Sequence, residues 1–522
     1  MTGFPTLSFS LVAALLEALP PSIDYLRILP EIVLSIFGMG IMVLDPLMDE
    51  RQSRRTLGAI ALGGAVAGML ATWCMARFPG VAFWNTVRVD GFSVFFHFLI
   101  IAIAALVILI SFEYMAVQQI RAGEYYGLIL FGVVGMALMS SAIELVLIFI
   151  ALEISSISSY VLAGFRRQEA ASSESSLKYF LLGSFATAFF LYGIALIFGA
   201  TGSTNVDDVG RALRSASPPL LAYVSVALMF VGLGFKVAAA PFHIWTPDVY
   251  EGAPAPIVGL MSTAPKAAAF AVLLRIVFAM NAPGPFWLIW VSAALSMTLG
   301  NIGALVQNNV KRLLAYSSIA HAGYLLVAFA ATPELGTSAV MFYTAAYAAM
   351  NVGAFAIVSH FANAGERYVT LEDYEGLGRS APLMAATLAI FLLSLIGIPM
   401  TGGFFAKFYV FSAAMKSHLI GLTIIGVINS AVGAYYYLRI IVVMYMRESR
   451  KEVPIMPVPM GLAWALAIST ATTIYLGVLP NSVLRYAQHS AQEMVQQSAP
   501  MVQQSAPSGS ATFGGPSCIG KF

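Results

Sequence analysis

The chain has 522 residues, of which 10% are charged and 59% are hydrophobic, and its mean hydropathy is +0.84. Globular proteins carry about 25% charged residues, so a water-soluble fold is excluded and a polytopic membrane protein is indicated. The formal net charge of +2 provides no basic surface for a nucleic acid. Two cysteines, Cys74 and Cys518, are too few for an iron-sulfur site or a CxxC redox pair. The composition therefore predicts a protein that carries no electrons itself.

Apolar runs long enough to cross a bilayer follow one another along nearly the whole chain, so the predicted fold is all-α. The first run begins near Ile28 and lacks the basic start and cleavage site of a secretory signal, which makes it a true span. No soluble domain interrupts the series, and residues 1–490 are expected to form a single transmembrane domain. The fourteen predicted spans are residues 28–44, 57–73, 93–112, 125–142, 144–164, 177–199, 218–240, 255–280, 286–306, 312–331, 337–361, 383–413, 418–446 and 457–479.

The distribution of cations predicts the orientation. Loops after the odd-numbered spans hold fourteen Lys and Arg residues, against eight on the opposite side. Because cytoplasmic loops are enriched in Lys and Arg, both termini are predicted to face away from the cytoplasm. The C-terminal end repeats MVQQSAP at 494–500 and 501–507, and its low complexity predicts that residues 491–522 form a disordered tail.

Five of the 27 Lys and Arg residues fall inside the predicted spans: Lys236, Lys266, Arg275, Lys407 and Arg439. A lysine at mid-bilayer costs roughly 2.5 to 3.5 kcal/mol, so the three lysines must face protein or water. Arg275 and Arg439 lie near the ends of their spans, from which long side chains reach the interface, and snorkelling accounts for both. The three lysines are therefore the first candidates for functional residues.

Two glutamates also lie in the fifth span. Glu153 is at mid-span, where a lone ionised carboxylate is untenable, so it needs a cation or a proton. A buried carboxylate and a buried ammonium each tend toward neutrality, whereas mutual attraction restores both charges, so joining or separating such a pair moves a proton. Glu144 lies near the end of the span, where it is either a relay group or an interfacial anchor.

Two spans are interrupted in a matching way. In the seventh span the interruption extends from Gly232 through Lys236 to Pro241. In the twelfth span it extends from Pro399 through Gly402 to Lys407. Freed backbone groups are tolerated in a membrane only beside protein or a water-filled cavity, and paired breaks point to an inverted-repeat transporter. Spans four to eight (about 125–280) and nine to thirteen (about 286–446) are the predicted repeats; the alternative is two ordinary proline kinks.

Polar residues inside the later spans are candidates to connect these charges. His321 shares a helix face with Ser317 and titrates near neutral pH, so it is either a proton carrier or a packing histidine. Tyrosines and an asparagine in spans eleven and thirteen either order water or make helix contacts. His97 and His360 are interpreted as structural, because nothing adjacent in the sequence gives them a partner. The polar residues of spans eleven and thirteen are Tyr343, Tyr347, Asn351 and Tyr435 to Tyr437.

Six strings in the chain resemble the antiporter-like membrane subunits of respiratory complex I, and most of all the subunit N family of bacterial NADH-quinone oxidoreductase, whose mitochondrial counterpart is NADH dehydrogenase subunit 2. The resemblance covers about residues 25–480, and PFHxWxPDxYxGAP is its most specific motif. The strings are LPEIVL at 29–34, LEISSISSYVLAGF at 152–165, LGFKVAAAPFHIWTPDVYEGAPAP at 233–256, STAPKAA at 262–268, NNVKRLLAYSSIAHAGYLL at 308–326 and GIPMTGGFFAKFYVF at 397–411.

The resemblance implies two inverted five-helix repeats, with broken helices seven and twelve, around a hydrophilic axis at mid-membrane. By position in the motifs, it implies a charge pair of Glu153 and Lys236. It further implies a central lysine at Lys266, a connecting histidine at His321 and a terminal lysine at Lys407. Glu144 stays a sixth candidate on its position in the span alone.

The resemblance also implies a proton-translocating subunit that binds no cofactor itself, with FMN, iron-sulfur clusters and quinone in partner subunits. The expected partners are other membrane subunits of complex I, including neighbouring antiporter-like subunits, and the lipid bilayer. The expected location is the bacterial inner membrane, or alternatively the mitochondrial inner membrane. The related subunits of multi-subunit sodium/proton antiporters share the two repeats, so ion exchange without NADH is the alternative function. A passive scaffold is hard to reconcile with three lysines at mid-span.

Overall fold

The computed structural model describes residues 20–48, 55–120, 123–215, 219–279, 285–449, 454 and 456–498. A short antiparallel hairpin, β1 (Gly80–Ala82) and β2 (Val87–Val89), connects α3 to α4, and the rest is helical. The helices are α1 (Ser22–Arg27), α2 (Leu29–Leu44), α3 (Arg55–Met75), α4 (Gly91–Val117), α5 (Glu124–Ser141), α6 (Leu145–Ala163), α7 (Ala170–Thr201), α8 (Val206–Ser215), α9 (Leu220–Val237), α10 (Trp245–Gly252), α11 (Ala255–Met261), α12 (Ala264–Leu274), α13 (Pro285–Leu305), α14 (Val310–Phe329), α15 (Pro333–Ala362), α16 (Leu377–Ser380), α17 (Pro382–Ile396), α18 (Gly402–Lys416), α19 (Ile420–Met446), α20 (Met460–Val478) and α21 (Asn481–Ser498).

The polytopic all-α fold predicted from the sequence is confirmed. In the described part of the chain, thirteen helical segments are long and apolar enough to cross a membrane. The twelfth predicted span is not one of them, because it is divided between α17 and α18. Each of the fourteen apolar runs therefore corresponds to a helix or to a pair of helices. The inverted relation between the two halves stays a prediction.

The breaks expected in spans seven and twelve lie where the sequence placed them. Helix α9 ends at Val237 with Ala238 in the left-handed region (φ 60°), and α10 begins at Trp245. Helix α17 ends at Ile396 with Gly397 in the left-handed region (φ 93°), and α18 begins at Gly402. A Cβ on Gly403 would lie 1.8 Å from the carbonyl oxygen of Ser394, so only glycine lets α18 start this close to α17.

The eighth predicted span, 255–280, corresponds to one apolar segment at Ala255–Phe278, and this segment contains a third break. Helix α11 ends at Met261 and α12 begins at Ala264, with Ser262 and Thr263 between them. Pro265 lies in the first turn of α12, where a missing N–H costs nothing. Because proline has no N–H to donate to the carbonyl of the preceding turn, helix α11 cannot continue through this position. The Thr263 hydroxyl donates to the carbonyl oxygen of Gly259 at 2.7 Å and satisfies one of the freed acceptors.

Helix α15 lies at the centre of the bundle. It packs against α4, α11, α14, α17, α18, α20 and α21, and nearly all of its side chains are buried. The pair α11 and α12 is also buried on every face. A membrane helix that is surrounded by other helices can carry polar side chains that lipid would not accept. The central position of these helices therefore makes room for a polar interior.

The C-terminal helix α21 packs on α15 and α4 and extends eight residues beyond 490, where the disordered tail was predicted to begin. Ala491 and Met494 are buried in this contact, so apolar residues at helical spacing outweigh the low complexity of the sequence. Residues 499–522 lie outside the described part of the chain, and the prediction for them is untested.

Candidate functional site

Lys236 lies in the last turn of α9, directly before the break, and is 4% exposed. Its ammonium donates a hydrogen bond to the Ser156 hydroxyl on α6 at 2.9 Å. Glu153, one turn before Ser156 on α6, acts electrostatically on Lys236, but the two form no ion pair within 4.0 Å. Glu153 Oε1 is buried without a hydrogen-bond partner among the described residues. Lys236 therefore contacts a serine, and its charge pair with Glu153, implied by the resemblance, stays a prediction.

Trp245 of the PFHIW motif packs at the break that follows Lys236. The Trp245 indole donates at 3.1 Å to the carbonyl oxygen of Phe235, in the last turn of α9, which also accepts from the Ala238 N–H. Trp245 stacks on Tyr179 with ring centroids 4.4 Å apart, and the Tyr179 ring lies 5.8 Å from Lys236 Nζ. The break in span seven is thus held by the same residues that enclose the lysine.

Lys266 lies in the first turn of α12, directly after the third break, and is 3% exposed. Its ammonium donates to the hydroxyl of Ser318 at 2.7 Å and to the Ser318 carbonyl oxygen at 3.1 Å. The Tyr347 hydroxyl on α15 donates to the same serine hydroxyl at 2.8 Å. Within the described residues Lys266 has no acidic partner at ion-pair distance. A serine and a tyrosine therefore connect this lysine to the central helix.

His321 on α14 is 2% exposed and lies between tyrosines. Its Nδ1 is 2.7 Å from the Tyr343 hydroxyl and its Nε2 is 3.3 Å from the Tyr437 hydroxyl. Its ring is 5.0 Å from that of Tyr347, centroid to centroid. The Tyr437 hydroxyl also hydrogen-bonds Ser317, which lies on the same helix face as His321. Tyr437 therefore connects the serine and the histidine.

Of the other polar residues expected near the site, some contact it and others do not. Asn351 donates to the Ser262 hydroxyl, in the break before Lys266, at 2.6 Å. Tyr436 instead donates to Asn301 at 3.0 Å. Tyr435 is 62% exposed and lies off the site.

Lys407 lies in α18, after the break in span twelve, and is 8% exposed. It donates to the carbonyl oxygen of Ile396, at the free end of α17, at 2.8 Å and to the Ser430 hydroxyl at 2.9 Å. Its ammonium is 4.9 Å from the centroid of the Tyr324 ring, which lies 5.7 Å from the His321 ring. The Tyr324 ring therefore lies next to both the Lys407 ammonium and the His321 ring.

Glu144 lies apart from the other five candidates. It is the N-cap residue of α6, outside the helix, and its carboxylate accepts a hydrogen bond from the Leu147 N–H at 2.7 Å. A carboxylate in this position satisfies an orphan donor and complements the helix dipole. This placement accords with the anchor alternative.

A fourth buried lysine, Lys311, was missed because it was counted among the loop cations. Lys311 is 1% exposed and lies 2.6 Å from Glu366. Glu366 also accepts from the Tyr114 hydroxyl and from the N–H of Ala255, each at 2.8 Å. Burial tends to raise the pKa of the Glu366 carboxyl, but Lys311 and Arg166 outweigh it and hold that pKa below its usual range. A charge cluster of Glu366, Lys311 and Arg166 therefore caps the N-terminus of α11.

The acids of the PDVYEG motif make a second group of ion pairs at this end of the helices. Arg312 on α14 lies 2.8 Å from Asp248 and 2.7 Å from Glu251, both on α10. Lys178 on α7 also pairs with Asp248, at 2.8 Å. Partial burial tends to raise the pKa of Asp248, but the two cations lower it on balance. These pairs join α10, which follows the break in span seven, to α7 and α14.

Arg275 corrects a prediction, whereas Arg439 conforms to one. Arg275 is 1% exposed and pairs with Asp90 at 3.3 Å, so it does not snorkel to the interface. The sequence could not reveal this partner, which lies 185 residues away. Arg439 donates to the side-chain oxygen of Asn308 at 2.9 Å, in the loop beside its helix end.

Comparisons with known proteins agree with this architecture. The family model "NADH:quinone oxidoreductase/Mrp antiporter, TM" matches residues 142–433. NADH-quinone oxidoreductase subunit N 2 of Koribacter versatilis (strain Ellin345) is 69% identical over 485 residues, which cover 91% of this chain and 98% of the relative.

Two solved structures have a similar fold. A chain of respiratory complex I from Thermus thermophilus with bound Aureothin is 36% identical, with a TM-score of 0.76 and coverage of 87% of this chain and 98% of that one. A chain of the Mrp complex from Dietzia sp. DQ12-45-1b has a TM-score of 0.78 and covers 91% and 98%, but at 21% identity it shows the fold alone. Together, the family match and the identity over nearly the full length of the relative show that the chain belongs to the NADH-quinone oxidoreductase subunit N family of antiporter-like membrane proteins.

Proposed function

We propose that this chain translocates protons as a membrane subunit of an NADH:quinone oxidoreductase. The proposed path uses Glu153, Lys236, Lys266, His321 and Lys407. Glu144 is left out of it, because it caps a helix and contacts none of these five. The observation that carries the proposal is a series of contacts from Lys266 on α12 to His321 on α14. Lys266 donates to Ser318 on α14, Tyr347 on the central helix α15 donates to the same serine, and the Tyr347 ring packs against the His321 ring.

The groups along this series suit proton transfer. Serine and tyrosine hydroxyls both donate and accept hydrogen bonds, and a histidine ring can receive a proton at one nitrogen and release it from the other. Because His321 has a tyrosine hydroxyl at each ring nitrogen, a proton that arrives on one side can leave on the other. The ring then carries its remaining proton on the other nitrogen, so a ring flip or an exchange of tautomers, together with reorientation of the hydroxyl protons, restores the starting state.

The lysines supply the sites that bind and release the proton. An ammonium out of water is destabilised unless a negative charge lies beside it, and Lys266 and Lys407 contact only hydroxyl and carbonyl oxygens at hydrogen-bond distance among the described residues. A carboxylate that approaches stabilises the charged lysine, and one that withdraws favours release of its proton. Glu153, close to Lys236 but not in contact with it, is placed to act in this way.

We place the redox chemistry, with FMN, iron-sulfur clusters and quinone, in partner subunits, and we propose assembly with neighbouring antiporter-like subunits in the bacterial inner membrane. The excess of Lys and Arg in the loops after odd-numbered spans supports an orientation with both termini on the non-cytoplasmic side. In this arrangement the Lys311 and Arg312 ion pairs lie toward the cytoplasm.

The decisive experiment replaces Lys266 by alanine in the assembled complex and measures NADH-driven proton uptake in sealed vesicles. Proton pumping should be largely lost while NADH oxidation by detergent-released complex falls less, because the lysine touches only the relay groups. Lys416→Ala, which removes an exposed lysine at the end of α18, is the matched control and should pump normally. Normal pumping by Lys266→Ala would refute the proposed path. Purification of the chain with antiporter subunits only, without flavin and iron-sulfur partners, would select sodium/proton exchange instead.

A further inference from the structure

A glutamate and a histidine are buried together outside the proposed path. Glu31 on α2 and His97 on α4 are 6% and 0% exposed, and Glu31 Oε1 lies 2.9 Å from His97 Nε2. Glu31 belongs to the LPEIVL string, to which the proposed path assigns no role. The sequence offered His97 no partner, because the two residues are 66 positions apart.

The contacts of His97 determine how many protons the pair holds. Nδ1 lies 2.7 Å from the backbone carbonyl oxygen of Ser93, which has no proton to give, so Nδ1 must carry one. The Ser140 hydroxyl is 3.1 Å from Nδ1, but it donates to the Ala137 carbonyl oxygen at 2.8 Å. Since Nδ1 carries its own proton, the contact between Nε2 and Oε1 needs a second one. Without it, a nitrogen lone pair would face an ionised carboxylate at 2.9 Å.

The geometry points to a second proton-binding site, in which Glu31 and His97 hold one transferable proton between Oε1 and Nε2. On Nε2 the proton makes an imidazolium beside a carboxylate. When the proton moves to Oε1, Nε2 regains its lone pair, both charges vanish, and a carboxylic acid donates to a neutral imidazole. The ligand of the site is the proton, and the site goes beyond the proposed path because no residue of that path contacts it.

The surroundings of the pair favour a retained proton. Glu31 Oε2 is buried without a hydrogen-bond partner among the described residues, so the carboxylate cannot hold its charge through other donors. Arg275 reaches the surroundings of the pair, where it donates to the Ser140 carbonyl oxygen at 3.0 Å and is balanced by Asp90. Among the described residues, this end of α4 is surrounded by two ion pairs, Asp90 with Arg275 and Arg88 with Asp207. Glu493 of α21 lies beside Gly91, the first residue of α4.

Solid-state NMR of the full chain in lipid bilayers, with ¹⁵N in the histidine rings and ¹³C in the glutamate carboxyls, reads the proton directly. His97→Gln and Glu31→Gln identify the two signals among the six histidines and the glutamates of the chain. Near neutral pH we expect either a doubly protonated His97 with an ionised Glu31, or a singly protonated His97 with a protonated Glu31. A singly protonated ring together with an ionised Glu31 would overturn the proposal.

The variants add a second test. In Glu31→Gln the amide can donate to Nε2, so His97 should be singly protonated at Nδ1. Glu113→Gln, on the same helix α4 but paired at the surface with Arg55, is the matched control and should leave the His97 signals unchanged. If the wild-type ring is doubly protonated, a ring that stays doubly protonated in Glu31→Gln would show that the two residues share no proton. If the wild-type ring is singly protonated, the protonation state of the wild-type Glu31 carboxyl decides the question. The wild-type spectra decide the question even if a variant fails to fold.

Discussion

Lys266 and Lys311 are both buried lysines, but their surroundings differ in kind. Lys311 lies 2.6 Å from Glu366 and also donates to the carbonyl oxygens of Glu251 and Ala253. Lys266 donates only to the hydroxyl and carbonyl oxygens of one serine. A lysine fixed by a carboxylate and two carbonyls is a structural cation, whereas a lysine that meets only neutral groups can lose its proton without stranding a buried negative charge. The number of acidic partners thus separates structural lysines from those of the path.

The largest effect should come from breaking the paired cluster. Glu366→Gln strands the Lys311 ammonium in a buried site, and loss of one partner of a buried ion pair costs about 3 to 5 kcal/mol. We expect a lower amount of chain in the membrane and a lower unfolding temperature of the purified complex. Glu334→Gln, at an exposed position in the first turn of α15, is the control and should behave as wild type. A Glu366→Gln complex of full stability would show that the cluster is dispensable.

The same cluster predicts a pH dependence. Because the pKa of Glu366 is lower in the folded protein than in the unfolded chain, its contribution to stability is present above the unfolded pKa and is lost as the pH falls through the folded pKa. The stability difference between wild type and Glu366→Gln should therefore shrink on acidification. Thermal unfolding of both complexes over an acid series measures this, and a difference that grows toward low pH would contradict the assignment.

An intermediate effect is expected from the first lysine and its glutamate. Lys236→Met should reduce proton pumping with little loss of assembly, and Glu153→Gln should reduce it as well. Since Glu153 acts on Lys236 electrostatically, the double variant should lose less than the two single losses combined. Pumping by the four complexes closes the cycle. Strictly additive losses would mean that the two side chains work independently, with Ser156 the only relevant contact of Lys236.

The smallest effect should come from a single hydroxyl of the path. Tyr437→Phe removes the hydroxyl that contacts both His321 Nε2 and Ser317. The loss of the hydrogen bond to the histidine is worth about 1 kcal/mol, or about a fivefold slower transfer. Tyr435→Phe, on the same helix but exposed, should pump at the wild-type rate. Initial rates of proton uptake compare the two variants, and equal rates would remove Tyr437 from the path.

Residues with a local signature were predictable from the sequence. Uncompensated lysines stand out in apolar runs, and the breaks beside Lys236 and Lys407 are marked by proline and glycine clusters. The break at Ser262–Thr263 was missed because only Pro265 marks it within a long apolar run.

Residues whose role depends on distant partners could not be recognised. Lys311 lies 55 residues from Glu366, and Arg275 lies 185 residues from Asp90. Position in a span or loop cannot distinguish a paired cation from an unpaired one, because the pairing exists only after the helices have packed. The same holds for the contact between Glu31 and His97.

The central claim is that the lysines of the path release their protons, and Lys407 tests it most directly. Arginine at this position keeps a positive charge, but its guanidinium stays protonated and cannot pass a proton on. We predict that Lys407→Arg and Lys407→Ala complexes, assembled and sealed in vesicles, lose NADH-driven pumping to a similar extent, while Lys416→Arg pumps normally. If Lys407→Arg instead pumps at close to the wild-type rate, Lys407 is a fixed charge like Lys311, and the account of a proton path is contradicted.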